Sequence, residues 1–123
     1  MLTIPKETLA HKLIAKIAAR EAVVGVVGLG YVGLPLLLRF SQVGFRSLGY
    51  DVDADLVARL KRDESEVLGS RILELHEALV AKRVELTSEA ARLAEADCFC
   101  ICVPTPLDTH RQPNLCFVEE AAQ

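Results

Sequence analysis

The sequence predicts an α/β fold in which a parallel sheet lies between two layers of helices. A β-branched run at Val23–Val27 precedes a glycine-rich turn, which is followed by an apolar segment at 34–40. A second short strand at 45–50 ends at Asp51, and an apolar strand spans 98–103. Apolar strands that alternate with helical segments are typical of parallel sheets buried on both faces. We therefore expect a three-layer parallel sheet.

The turn after the first strand has the spacing G-x-G-x-x-G, formed by Gly28, Gly30 and Gly33. The first glycine permits a tight turn, the second lets a diphosphate approach the backbone, and the third lets the following helix pack closely on the strand. The start of that helix directs N–H groups and the positive end of its dipole at phosphates. Because glycine also occurs in ordinary turns, this pattern alone is weak evidence.

Asp51 adds a second, independent signal. An acid about 20 residues beyond the glycine pattern, at the tip of the next strand, can accept hydrogen bonds from the hydroxyls of an adenosine ribose. The alternative is that Asp51 and Asp53 only begin the next helix, and Asp53 does precede a helical segment. Together the turn and the acid predict a dinucleotide-binding, Rossmann-type domain with strand order 3-2-1-4, truncated after the fourth strand.

Composition excludes several other classes of protein. The formal net charge is −3 and the basic residues are scattered, so we expect no nucleic-acid partner. The apolar run at 22–38 is interrupted by glycines and a proline, which favours a buried core over a membrane span. No signal peptide is recognisable, so we expect a cytoplasmic chain with no membrane partner.

The four cysteines predict neither a metal site nor a catalytic thiol. Cys98, Cys100 and Cys102 alternate along one strand and therefore share a face. Zinc sites use cysteine pairs on turns, so small buried side chains are the better interpretation. Cys116 has no recognisable histidine partner, and we expect no catalytic residue in the chain.

An amphipathic helix is predicted at 3–20, which divides the chain into a leader helix at 1–20 and a partial dinucleotide-binding domain at 21–123. The apolar face of this helix could dock on its own domain, on a neighbouring subunit, or on a membrane surface. Docking on protein is favoured because the face lacks tryptophan and phenylalanine.

The other elements follow from periodicity and capping. Helices are predicted at 31–43, 54–62 after an Asp53 cap, 71–82 after a Ser70 cap, 88–94, and from 115 after an Asn114 cap; a third strand is predicted at 84–87. Pro35 is expected to cost the helix predicted at 31–43 one backbone hydrogen bond near its start.

The fourth strand runs into a loop that begins Val103-Pro104-Thr105-Pro106. Loops at the carboxyl ends of parallel strands form the binding crevice of open α/β sheets. The Thr105 hydroxyl is therefore a candidate cofactor contact, with Pro104 holding the backbone extended. The alternative is a structural turn with no ligand.

Four segments resemble the amino-terminal part of the nucleotide-sugar dehydrogenases that act on UDP-glucose, GDP-mannose and UDP-N-acetylhexosamines. They are VGVVGLGYVGLPL, GYDVD, EADCFCICVPTPLD and RQPNLCFVE. The resemblance begins near residue 20 and reaches the last residue. Within the family, the wording is most similar to the UDP-N-acetylglucosamine 6-dehydrogenases, followed by the UDP-N-acetylmannosamine enzymes.

The resemblance implies an NAD-dependent, four-electron oxidation of the sugar C6 alcohol to a carboxylate for polysaccharide synthesis. It implies a UDP-sugar substrate bound through a missing C-terminal half, and a homo-oligomer at full length. An acid at Asp51 disfavours the 2′-phosphate of NADP by charge repulsion. The implied NAD contacts are Gly28, Gly30, Tyr31, Val32 and Gly33 at the pyrophosphate, Asp51 at the ribose, and Val103, Pro104 and Thr105 towards the nicotinamide.

Three departures from the family accompany this resemblance. Leu56 stands where some members carry a basic residue, and Asn114 and Cys116 replace an aspartate and a serine. The family's catalytic cysteine is not matched, so the chain is expected to be incomplete and inactive alone, and its open apolar fourth strand to favour aggregation. Two alternatives remain open: a non-catalytic or remnant NAD-binding module of a UDP-N-acetylmannosamine or UDP-glucose dehydrogenase, and a Rossmann domain that binds FAD or a sugar nucleotide.

Overall fold

The computed structural model describes residues 8–65, 67–103 and 115–122. Within them lie four strands: β1 (Val23–Val27), β2 (Arg46–Tyr50), β3 (Val84–Thr87) and β4 (Cys98–Ile101). The α-helices are α1 (Leu9–Ala18), α2 (Gly33–Gln42), α3 (Ala54–Lys61), α4 (Ile72–Val80) and α5 (Cys116–Ala122). Two 3₁₀ segments, Gly69–Arg71 and Ala90–Glu95, complete the described elements.

The strands form one parallel sheet in the order β3-β2-β1-β4, which confirms the predicted topology. Val27 at the end of β1 is level with Tyr50 in β2 and with Ile101 in β4. The carboxyl ends of these strands therefore meet at one edge of the sheet, as the prediction of a ligand crevice requires.

The core lies on one face of the sheet, beneath α2, α3 and α4. Gly49 in β2 brings α2 close, since a Cβ built there would lie 2.7 Å from a methyl carbon of Leu37. The most deeply buried large side chains of this layer are Leu29, Leu34, Leu37, Leu38, Leu60, Leu75, Val26 and Val84. This packing fixes the start of α2 against the end of β1.

Helix α2 begins at Gly33 rather than at the predicted residue 31. The Leu34 N–H reaches the Gly30 carbonyl and the Leu36 N–H reaches the Val32 carbonyl, both at 3.2 Å. Between these two bonds, Pro35 has no N–H to donate towards Tyr31, so the regular helix starts two residues later. The expected loss of one hydrogen bond is therefore what sets the helix boundary.

Three other predicted boundaries are wrong. The strand predicted at 98–103 ends at Ile101, although the Cys102 N–H still donates to the Val27 carbonyl at 2.7 Å, because β1 itself turns away at Gly28. Ser70 does not cap α4: it lies inside a 3₁₀ segment, and α4 begins after Arg71 without a side-chain cap. The helix predicted at 88–94 is the 3₁₀ segment Ala90–Glu95. The prediction of an Asn114 cap lies outside the described residues.

Helix α1 spans Leu9–Ala18, within the predicted 3–20, and residues 1–7 lie outside the described residues. Thr8 caps its start by accepting the His11 N–H, and Arg20 takes a left-handed conformation (φ 60°) just beyond its end. No residue of α1 is buried, so described residues do not cover its apolar face. The helix is held by polar contacts instead, between Lys16 and Asp97 and from Arg20 to the Val43 carbonyl.

The cysteines of β4 lie on one face, as predicted. Cys100 and Cys102 pack against the core, whereas Phe99 and Ile101 on the opposite face are 47% and 41% exposed. Burial raises the pKa of the Cys98 and Cys102 thiols, which keeps them protonated at neutral pH. Within the described residues no cluster of three or more metal-binding side chains is found, and none of the helices described is long and apolar enough to cross a membrane.

Candidate dinucleotide-binding site

The three glycines of the turn occupy three different environments. Gly28 has φ 100°, and a Cβ built there would lie 2.5 Å from the Cys102 carbonyl oxygen. A Cβ built on Gly33 would lie 1.7 Å from the Gly28 carbonyl oxygen. A Cβ built on Gly30 would meet no atom of the described residues within 4 Å, and Gly30 does not have a positive φ. The protein's own packing therefore requires glycine at 28 and 33 but not at 30.

The open space at Gly30 is bordered by unused backbone donors. The N–H groups of Gly30, Tyr31 and Val32 donate to no backbone carbonyl of the described residues. The side chains of Tyr31 and Val32 are exposed, so contacts from these residues to a ligand in the turn would use the backbone. Unpaired N–H groups before a helix are the donors that a phosphate accepts from.

Asp51 lies across the sheet edge from this turn. Its Oδ2 accepts the Leu29 N–H at 3.0 Å, and its Oδ1 accepts the Asp53 N–H at 2.9 Å. The carboxylate is therefore directed at the mouth of the glycine turn, as the sequence predicted. Asp53 instead caps α3 by accepting the N–H groups of Asp55 and Leu56, which separates the roles of the two acids.

A cavity of about 410 Å³ opens beside Asp51 at the carboxyl edge of the sheet. Its walls come from the ends of β1, β2 and β4, from Ala90 and Leu93 of the second 3₁₀ segment, and from Phe117 and Glu120 of α5. Most of the lining is apolar, with carboxylates from Asp51 and Glu120 at its margin. A flat, largely apolar ring system joined to a hydroxylated sugar suits such a cavity.

The structure brings most of the predicted site residues to one edge. Gly28, Asp51 and Val103 line the cavity, and Gly30, Tyr31, Val32 and Gly33 form the adjoining turn and the first position of α2. Pro104 and Thr105 lie outside the described residues. Leu56 packs against the core, and Arg59 one turn later lines a neighbouring cavity beside Leu29.

Ala90, Leu93, Phe117 and Glu120 were not predicted as site residues. Ala90 and Leu93 follow the end of β3, and segments that leave the carboxyl ends of strands reach the same edge. That topological signal was available for the 3₁₀ segment. No local pattern distinguishes Glu120 from an ordinary helical glutamate, because its place depends on how α5 returns to the sheet.

Comparison with known proteins agrees with this geometry. The profile of the UDP-glucose/GDP-mannose dehydrogenase family, NAD binding domain, matches residues 22–123. A UDP-N-acetyl-D-glucosamine 6-dehydrogenase from Salmonella typhi is 36% identical over 95 residues, which are 77% of this chain and 21% of that protein. A UDP-N-acetyl-D-mannosamine dehydrogenase from Pyrococcus horikoshii is 30% identical over 80% of this chain and 23% of that protein.

Solved structures give the same result. A UDP-glucose dehydrogenase from the archaeon Pyrobaculum islandicum superposes with a TM-score of 0.76 at 33% identity, over 82% of this chain and 24% of that one. The chain thus spans between a fifth and a quarter of the length of the relatives it matches. Because the profile matches residues 22–123, the chain belongs to the UDP-glucose/GDP-mannose dehydrogenase family, as its NAD-binding domain.

Proposed function

We propose that the chain is the NAD-binding part of a UDP-N-acetylhexosamine 6-dehydrogenase, with UDP-N-acetylglucosamine as the sugar nucleotide. The full-length enzyme would oxidise the C6 alcohol to a carboxylate, a four-electron change that consumes two NAD⁺ and one water. Relatives from Salmonella typhi and Pseudomonas aeruginosa that carry the acetylglucosamine name, at 36% and 34% identity, support this choice of sugar. An acetylmannosamine dehydrogenase from Methanococcus maripaludis, at 34% identity, makes acetylmannosamine the second candidate.

The residues of this chain would bind and orient the cofactor. The backbone donors at Gly30, Tyr31 and Val32 would hold the diphosphate, and Asp51 would accept the adenosine ribose hydroxyls. The apolar walls formed by Ala90 and Leu93 would enclose the adenine. Bound NAD⁺ would supply the hydride acceptor, and the thiol and sugar-binding groups would come from the remainder of a longer protein.

The observation that carries the proposal is the open space at Gly30. Among the described residues, glycine at this position satisfies no packing need, because a Cβ there would touch none of their atoms and the backbone is not left-handed. A diphosphate lying against the backbone explains it, since only glycine leaves that approach free.

Replacing Gly30 with valine tests this explanation. Because the added side chain would enter ligand space rather than the core, we expect NAD affinity to fall at least about tenfold, which corresponds to about 1.4 kcal/mol. The melting temperature should stay within a few degrees of the wild-type value. Calorimetric titration with NAD and thermal unfolding measure the two effects.

Wild-type chain that binds no NAD at millimolar concentration would contradict the proposal and favour a non-functional remnant. Retention of FAD through purification would favour a Rossmann domain for a different cofactor. The sugar is tested separately, by comparing NADH formation from UDP-N-acetylglucosamine and from UDP-N-acetylmannosamine in the full-length enzyme.

The remaining parts of the proposal concern organisation. We assign residues 1–20 to a leader helix and 21–123 to a partial NAD-binding domain, in a cytoplasmic protein that forms a homo-oligomer at full length. The lack of burial along α1 supports an external partner for that helix. The short coverage of the relatives supports a UDP-sugar site outside this chain.

A further inference from the structure

Both carboxylate oxygens of Asp51 accept backbone hydrogen bonds within the protein. Oδ2 accepts from Leu29, which lies between the first two glycines of the turn, at 3.0 Å. Oδ1 accepts from Asp53 at 2.9 Å. One side chain therefore joins the end of β2 to the turn that follows β1.

The bond to Leu29 extends a series of contacts that hold the turn. The Gly28 N–H donates to the Tyr50 carbonyl at 2.8 Å, which ties the last residue before Leu29 to β2. The Leu29 side chain is buried in the core with 1% of its surface exposed. With the side chain anchored inside and the N–H anchored by Asp51, the backbone of Leu29 is fixed from two directions.

The carboxylate retains capacity for a ligand. An ionised carboxylate offers about four lone-pair positions, and the two backbone donors use two of them. The remaining two can accept the hydroxyls of an adenosine ribose. Holding the turn and binding a ribose are therefore compatible roles for one side chain.

We propose that Asp51 is a positioning residue for the diphosphate-binding turn, in addition to being the ribose partner. This inference rests on the proposed NAD-binding function and deepens it. Through its bond to the Leu29 N–H, Asp51 holds the Gly28–Gly30 backbone in the conformation that presents the following N–H groups to phosphate. The consequence is that Asp51 contributes to binding of diphosphate ligands that lack ribose hydroxyls.

A comparison of ADP with 2′,3′-dideoxy-ADP isolates this second role, because the dideoxy nucleotide leaves Asp51 nothing on the sugar to bind. If Asp51 positions the turn, Asp51→Ala should weaken dideoxy-ADP binding at least about fivefold, since a charge-assisted hydrogen bond to the turn is lost. It should weaken ADP binding further, through the ribose hydroxyls. Calorimetric or fluorescence titration of the 123-residue chain gives both affinities.

The matched control is Asp53→Asn, which changes the neighbouring carboxylate. The Asp53 side chain caps α3 by accepting the N–H groups of Asp55 and Leu56, and asparagine is an equally good cap. Affinity for both nucleotides should stay within about twofold of wild type, because the Asp53 N–H that Asp51 accepts belongs to the backbone.

Amide hydrogen exchange measures the hydrogen bond from the Leu29 N–H to Asp51 without any ligand. In Asp51→Ala the Leu29 amide should exchange at least about tenfold faster than in Asp53→Asn, because its acceptor is gone. In Asp51→Asn, which retains one acceptor oxygen, either the Leu29 or the Asp53 amide should accelerate. The asparagine variant also provides the nucleotide comparison should the alanine variant unfold.

Two failures are distinguishable. A wild-type chain that binds neither nucleotide refutes the proposed function. A wild-type chain that binds both, with dideoxy-ADP affinity unchanged in Asp51→Ala or Leu29 exchange unchanged, refutes the positioning role of Asp51 and leaves the proposed function standing.

Discussion

The glycines of the turn have different structural roles, which the G-x-G-x-x-G pattern does not distinguish. Gly28 and Gly33 are required by the apo protein, since a side chain at either would collide with a backbone carbonyl oxygen. These two positions let β1, the turn and α2 approach one another closely. Gly30 stands apart because its free space faces outward. The proposed function thus assigns stability and ligand binding to different glycines of one pattern.

Gly33→Ala should therefore destabilise the fold, in contrast to a substitution at Gly30. The new Cβ would lie 1.7 Å from the Gly28 carbonyl oxygen, so the start of α2 must move away from the turn. Overpacking against rigid backbone should cost about 2 kcal/mol or more. Urea unfolding followed by circular dichroism measures the change. A Gly33→Ala protein as stable as wild type would show that α2 does not depend on this close approach.

At the scale of elements, Asp97 connects α1 to the first residue of β1. Its Oδ2 accepts the Val23 N–H at 2.8 Å, and its Oδ1 lies 3.2 Å from Lys16 Nζ. The pKa of the Asp97 carboxyl is lowered below its ordinary value of 3.8. The hydrogen bond from the Val23 N–H is the larger cause, and the hydrogen bond from Lys16 is the smaller one. The carboxylate is thus favoured in the folded chain.

This shift has a defined effect on stability. A carboxyl whose pKa is lowered by folding stabilises the native state above its unfolded pKa, and the contribution disappears as pH falls through the folded pKa. Asp97→Asn should therefore be less stable than wild type at pH 7, with the difference shrinking below pH 3.8. Urea unfolding across this pH range measures it.

Lys16→Met provides the comparison at the same site, because it removes the ion pair and keeps the Val23 hydrogen bond. Since that hydrogen bond is the larger cause of the shift, the methionine variant should retain most of the pH dependence. A stability difference between wild type and Asp97→Asn that does not change with pH would contradict the assignment.

Element boundaries show what local sequence could and could not predict. Strand and helix order followed from periodicity, and the Asp53 cap was recognisable because one side chain satisfies the helix start locally. The start of α2 was predicted two residues too early, because Pro35 has no N–H to donate to the Tyr31 carbonyl. The Ser70 cap was wrong because a 3₁₀ segment intervenes before α4. Such details depend on neighbouring backbone conformation rather than on residue type.

For the molecule as a whole, the candidate site and helix α1 lie at opposite ends of the strands. The glycine turn, Asp51 and the cavity lie at the carboxyl ends of the strands, and Asp97 with α1 lies at the opposite end. Strand order and the position of Asp51 were predictable because βαβ units have few topologies. The walls of the cavity were not predictable, since they combine segments distant in sequence.

We expect the chain to self-associate through strand β4. Among the described residues β4 pairs only with β1, and Ile101 is 41% exposed on the face away from the core. Ile101→Lys places a charge on this edge and should keep the chain monomeric at concentrations where wild type forms larger species. Phe99 is less suitable, because its ring lies against Gly25.

Sedimentation velocity over a range of concentrations measures this effect. Leu9→Lys, on the exposed face of α1, is the matched control and should leave association through β4 unchanged. If Leu9→Lys disperses the chain and Ile101→Lys does not, α1 rather than β4 is the associating surface.

The proposed function requires NAD to bind at the carboxyl ends of the strands, and a ¹H–¹⁵N NMR titration with NAD measures this most directly. We expect shift changes to concentrate in the amides of residues 28–33, at Asp51 and Val52, and at Ala90 and Leu93 along the cavity. Changes centred instead near Arg46 and Arg83, at the opposite end of the sheet, or no changes at millimolar NAD, would contradict it.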